Sequence, residues 1–284
     1  MVTEIESGIR HGMQWHNEPE TLMRLENWGG SAAYDQYMGR WSRLVARRYL
    51  RDLSTPGGLS WLDIGCGTGA LTQAVAAICE PRHLIGIDRS EGFVRAIQAE
   101  SSEPPIPVVV AGADALPIET GTVDVAASGL ALNFMAEPEE AIHEWRRVVR
   151  PAGIISAYVW DYADRMEFIR AFWDAAASID PAAESLDEGR RFPLCSPSRL
   201  AGLFERAGLR NVEVWGVEVP TEFRDFDDYW APFLAGQGPA PTYVSSLGEK
   251  ARTALRDAIR AGLDDGRGGP IRMVARAWSV RAIN

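Results

Sequence analysis

Leu62-Asp63-Ile64-Gly65-Cys66-Gly67-Thr68-Gly69 sets an acid two places ahead of three glycines at alternate positions. Glycine at 65, 67 and 69 lets a backbone turn tightly and approach a ligand with no Cβ in the way. Read as G-x-G-x-x-A over Gly65, Gly67 and Ala70, the turn also fits a dinucleotide fingerprint, and alone it leaves that choice open. Three acids bear on the choice. A carboxylate at Asp63 would crowd a pyrophosphate and suits a cationic ligand. Asp88 closes the apolar run His83 to Asp88, where an acid can accept both hydroxyls of a ribose. Asp114 follows the β-branched run Ile106 to Val110, where a carboxylate can accept an adenine amino proton. A ligand with ribose, adenine and a positive charge, and without phosphate, satisfies all three.

These residues need strand tips to hold them, and the sequence supplies strands in alternation with helices. Leu59 to Ile64 reads as a buried strand, and Leu71, Val75 and Ile78 follow at helical spacing. His83 to Asp88 is the next strand, and Ser90 caps a helix carrying Phe93, Val94 and Ile97. Ile106 to Val110 and Val123 to Ser128 follow as strands, Glu137 to Val149 as a helix and Ile154 to Trp160 as a fifth strand. Such alternation gives right-handed βαβ units and a doubly wound, mostly parallel α/β sheet covered on both faces. After Trp160 the pattern relaxes. A helix around Met166–Ala177, a Pro-punctuated loop from Asp180 to Pro197, a helix Ser198 to Ala207 and a strand Val212–Val219 are expected. An aromatic run from Phe223 to Tyr243, a helix from Leu247 to Leu263 and a strand Ile271–Val280 complete the chain. The expected organisation is a helical N-terminal cap over 1–55 and one α/β domain over 56–284, with helical insertions near 161–197 and 223–268.

The chain has 284 residues, 46% hydrophobic and 24% charged, which suits a globular protein and excludes wholesale disorder. Its net charge of −10 argues against nucleic acid as the partner. Cys66, Cys79 and Cys195 form no paired spacing, which suits a reduced, cytoplasmic setting. No apolar leader or membrane-spanning run is read in the sequence. The histidines show no H-x-x-x-H spacing, so no metal site is expected.

In the order of its motifs, Asp63, Gly65, Gly67 and Gly69, then Asp88, then Asp114, the chain resembles the class I S-adenosylmethionine-dependent methyltransferases. Val123-Asp124-Val125 leading to Leu132-Asn133-Phe134, and Glu144 through Arg147 to Pro151-Ala152-Gly153, look like their small-molecule branch. That branch includes the ubiquinone and menaquinone biosynthesis C-methyltransferases. The resemblance runs from about Tyr34 to Trp160. It implies a Rossmann-like sheet of seven strands with an antiparallel last strand, S-adenosylmethionine as cofactor, and a small, partly apolar acceptor. Cys66, Arg89, Ala115 and Ser128 join the acids and glycines as expected cofactor contacts. One departure is Pro151-Ala152-Gly153, where the family often has Pro-Gly-Gly.

In Tyr34-Asp35-Gln36-Tyr37-Met38-Gly39-Arg40-Trp41, the expected role is a lid with Tyr37 and Arg40 turned toward the methionine carboxylate. The alternative is a packing face, since Tyr34, Tyr37 and Trp41 lie three or four apart. The expected acceptor wall is Tyr34, Asn133, Trp160, Trp230 and Phe233, although the aromatics after Phe223 suit a small helical core equally. No catalytic base emerges: His143 lies on a solvent face of its helix, and His83 starts its strand at the wrong end of the sheet. A nicotinamide-dependent oxidoreductase and a non-enzymatic adenosylmethionine-binding scaffold are the rival readings.

Overall fold

The computed structural model describes residues 35–99, 105–234, 238–263 and 269–284. After a wide helical turn, Asp35–Gly39, helix α1 (Arg40–Leu53) buries Trp41, Val45, Tyr49 and Leu53, a four-residue rhythm that keeps one face inward. Strand β1 (Ser60–Ile64) is buried along its length, as expected of a strand covered on both faces. Then come α2 (Ala70–Ile78), β2 (His83–Asp88), α3 (Glu91–Ala99), β3 (Val108–Val110) and β4 (Val123–Gly129). Helix α4 (Pro138–Val148) opens on a proline, whose missing N–H would be unpaired there anyway, and leads into β5 (Val149–Trp160).

Beyond β5 lie α5 (Glu167–Ile179), the short α6 (Glu188–Arg191), α7 (Pro197–Arg206) and β6 (Arg210–Phe223). Helices α8 (Phe226–Trp230), α9 (Pro239–Ser246) and α10 (Glu249–Leu263) precede β7 (Ile271–Ile283). The seven strands form one sheet in the order β3-β2-β1-β4-β5-β7-β6. Strands β1 to β5 pair in parallel, and β7 runs antiparallel to both β5 and β6. The strand order reverses between β1 and β4, so a crevice opens at the carboxyl ends of β1, β2 and β4.

Strands β6 and β7 run further than their apolar residues suggest, because each supplies the other's backbone partners from Arg210↔Ile283 to Phe223↔Ile271. The aromatic run after Phe223 builds a packed layer. Phe172 of α5 stacks on Phe233 at 4.6 Å between ring centroids, and Trp41 meets Phe223 edge-on at 5.4 Å. Among the described residues no helix is long and apolar enough to cross a membrane.

Candidate functional site

The glycine turn closes β1. Gly65, Gly67 and Gly69 have φ of 73°, 53° and 86°, a left-handed backbone that costs a side-chain-bearing residue about 1–2 kcal/mol. A Cβ on Gly65 would stand 2.5 Å from the Cβ of Ala131, so this glycine allows the turn to touch the loop after β4. A Cβ on Gly67 would meet nothing within 4 Å and would project into open space. Asp63, the penultimate residue of β1, is almost wholly buried. Its Oδ2 accepts a hydrogen bond from Thr72 Oγ1 at 2.5 Å, and its Oδ1 is buried with no partner. Burial pushes this carboxyl up to about 7, with the Asp88 charge adding to the rise and the Thr72 bond opposing it.

Asp88 ends β2 and is tied to the turn. Its Oδ2 accepts from the Gly67 N–H at 2.9 Å and its Oδ1 from the Ser90 N–H at 2.8 Å. Each oxygen keeps a further lone pair for a ligand. Asp114 stands exposed near the start of the loop after β3, and α4 fixes that loop from behind. Glu144 Oε1 accepts from the Leu116 N–H at 2.8 Å, and Trp145 Nε1–H donates to the Ala113 carbonyl at 3.2 Å. The Glu144 carboxyl is held below its usual range, chiefly by the hydrogen bond from Arg147. Glu144 and Trp145 thus position the loop, a role the spacing of the motifs does not disclose.

These elements surround a cavity of about 630 Å³. Asp63, Gly65, Cys66, Gly67, Asp88, Arg89 and Asp114 line it, joined by Phe93, Leu130, Phe134, Met135 and Tyr158, which the sequence reading does not single out. Burial and the carboxylates of Asp63 and Asp88 push the Cys66 thiol up, leaving it protonated and unreactive. Gly69, Ala115 and Ser128 do not line the cavity: Gly69 caps α2, Ala115 is exposed, and Ser128 is buried within β4. Asn133 sits half-buried in the helical turn Leu132–Phe134, whose neighbours line the wall in its place.

Three expected contacts lie elsewhere. The Arg40 guanidinium rests over Trp41 and Phe223 at 4.3 and 4.7 Å from the ring centroids, and pairs with Asp228 at 3.3 Å. Those partners turn it away from the cavity. Trp230 and Phe233 are buried in the aromatic layer, 6.0 Å apart, because the helical insertion packs onto the main core through them. Tyr34 lies outside the described residues. Tyr37 and Trp160 line a small recess that shares its Leu130 and Phe134 walls with the large cavity. Glu188, in the stretch whose prolines predict a loop, lines that recess too. Among the described residues no group of three or more His, Cys, Asp or Glu side chains gathers as a metal site.

A family model described as Methyltransferase domain matches residues 62–157, from β1 into β5. An uncharacterized 37.1 kDa protein in transposon TN4556 of Streptomyces fradiae is 34% identical over 215 residues, 68% of this chain and 61% of that protein. The chain therefore spans less than two thirds of that relative. Demethylmenaquinone methyltransferase of Bacillus licheniformis is 30% identical over 175 residues, 57% of this chain and 75% of that protein. The YcgJ protein of Bacillus subtilis has the same fold, with a TM-score of 0.55 over 84% of this chain and 97% of that one at 16% identity.

Proposed function

Because the chain belongs to the class I S-adenosylmethionine-dependent methyltransferases, we propose that it transfers a methyl group from S-adenosylmethionine to a small, partly apolar acceptor by direct in-line displacement. The observation that carries this reading is the buried, unpartnered Oδ1 of Asp63 on the wall of a cavity framed by the glycine turn, Asp88 and Asp114. A cation beside that oxygen would relieve the cost of burying it. When bound, S-adenosylmethionine supplies a methyl already activated by its sulfonium. Gly67 leaves room for close backbone approach, Asp88 offers lone pairs to the ribose, and Asp114 stands where an adenine edge would lie. Holding acceptor and methyl in line supplies much of the rate, up to about 7–11 kcal/mol in well-oriented systems. Asp63, which would crowd a pyrophosphate, and Asp114 disfavour a dinucleotide, whereas Asp88 suits the ribose of either ligand. The apolar residues Phe93, Leu130, Phe134 and Met135 support an acceptor with an apolar body.

Thermal unfolding tests the reading. S-adenosylmethionine or S-adenosylhomocysteine at about 100 times its dissociation constant should stabilise by about 2.7 kcal/mol. That corresponds to a rise in Tm of roughly 5–10 °C. The rise should vanish in Asp88→Ala, and reduced nicotinamide dinucleotide should give none. A rise with the nicotinamide alone would overturn the assignment.

A further inference from the structure

The recess beside the cleft is walled by Tyr37, Leu130, Phe134, Trp160, Tyr162 and Glu188. It measures about 10 Å³, room for one water-sized group and no more. Its walls are aromatic and aliphatic except for one carboxyl. Glu188, on α6, is 2% exposed, and its Oε2 accepts a hydrogen bond from Trp173 Nε1 of α5. Trp160, at the end of β5, brings an indole whose Nε1–H is buried with no partner. A buried carboxyl and a buried lone donor lining one small recess, beside the cleft whose Leu130 and Phe134 walls it shares, make a site for a group that both donates and accepts.

We propose that this recess receives the reacting hydroxyl of a neutral acceptor whose apolar body lies in the cleft, and that Glu188 is the catalytic base for that hydroxyl. The inference rests on the methyltransferase reading above. The acceptor oxygen forms the new bond to the methyl carbon as the sulfur–methyl bond breaks. The electron pair of the broken bond stays on sulfur, and the hydroxyl proton passes to the Glu188 carboxylate. An amine fits less well. Protonated, it can only donate, and it would leave the Trp160 N–H facing another donor.

The surroundings of Glu188 suit a base at neutral pH. Burial raises its carboxyl to about 8, with Asp187 adding to the rise and Arg191 opposing it on the same short helix. From α5, Trp173 donates to it, and Arg170 is engaged with Asp187 at 2.8 Å. Tyr37 and Tyr162 line the same recess. A base works best when its proton affinity lies near the working pH.

The test uses the full chain loaded with S-adenosylhomocysteine, titrated with phenol, benzyl alcohol and benzylamine and followed by intrinsic tryptophan fluorescence. Methyl transfer from S-adenosylmethionine to the same probes is measured in parallel. The hydroxyl probes should bind at least about tenfold more tightly than benzylamine. Trp160→Phe should weaken them roughly three- to tenfold. Glu188→Gln keeps the shape and the bond from Trp173, so its affinity for S-adenosylhomocysteine should stay unchanged, and removal of the buried ionisable group should leave its Tm at pH 8 no lower than that of the wild type. Its transfer rate at saturating cofactor should fall between about 100- and 10,000-fold, and the rise in rate through pH 8 should disappear. Unchanged transfer in Glu188→Gln, a preference for benzylamine, or no binding of either hydroxyl probe would overturn the proposal. Failure of S-adenosylhomocysteine to bind the wild type would instead overturn the methyltransferase reading.

Discussion

Asp63 is held in the fold at a stability cost that its ligand can recover. Its carboxyl titrates at about 7 in the folded chain, against an ordinary value of 3.8, because burial disfavours the charge. Between these values the folded state binds more protons than the unfolded one, so stability falls as pH rises from about 4 to about 7. The span corresponds to at most about 4 kcal/mol. Glu188, raised from 4.5 to about 8, adds a loss of the same sign that extends to higher pH. Asp63→Asn should therefore lose less Tm than the wild type between pH 5 and 8, while binding S-adenosylmethionine at least about tenfold more weakly at pH 8. Calorimetry and thermal melts at both pH values check the pair. Equal pH slopes would mean that Asp63 ionises freely. At this scale the positions of Asp63 and Asp88 were legible, because residues at the ends of short apolar runs can be placed from strand periodicity, and Asp114 was placed as part of the loop after the third run. Arg40 and Glu188 were opaque. The first is turned aside by Phe223 and Asp228, far along the chain, and the second becomes a buried carboxyl only because α5 brings Trp173 over it.

The turn between α4 and the main run of β5 carries a strain that the motif comparison points to. Ala152 has φ of 64°, left-handed, at the position where related chains often have glycine. Its N–H donates to the Asn284 carbonyl at 3.1 Å, and the Asn284 N–H donates to the Gly153 carbonyl at 3.0 Å, so the turn is pinned to the end of β7. Relief of an alanine in this conformation is worth about 1–2 kcal/mol, and the greater freedom of glycine in the unfolded chain removes about 0.5–1. Ala152→Gly should thus stabilise by about 0.5–1 kcal/mol with the hydrogen bonds kept, a rise of roughly 1–3 °C in Tm. A lower Tm would show that the pinned turn bears no strain. Element by element, β2 was legible to the residue because its apolar run ends on a carboxylate. Helix α9 falls within the helical insertion expected over 223–268, but its bounds were not legible, because Pro239 and Pro241 mask a helix that Pro239 opens, where its fixed φ and missing N–H cost nothing.

Across the molecule the packing divides unevenly. One continuous apolar core runs from Tyr37 and Trp41 through the sheet to Val280 and Ala282, and takes in the aromatic layer around Phe172 and Phe233. Residues Cys66, Val94, Ile97 and Val108 form a separate small cluster under α3 and β3. Strand β3 spans Val108–Val110, pairs among the described residues only with β2, and leaves Val109 and Val110 at 39% and 46% exposure. With so little apolar surface holding it, this corner should open at a free energy well below that of global unfolding. The same corner carries two of the proposed ligand contacts, since Asp88 precedes α3, Asp114 follows β3 and both line the cavity. In native-state hydrogen exchange followed by mass spectrometry, peptides of α3 and β3 should therefore exchange well ahead of peptides from β5 and β7. Saturation with S-adenosylmethionine at about 100 times its dissociation constant should slow them by up to about 100-fold, because a ligand bound only to the closed form must leave before the corner opens. Protection that rises uniformly over the chain would place the ligand's stabilisation in global unfolding. Protection confined to α3, β3 and the glycine turn would mean that cofactor binding completes the least stable part of the fold.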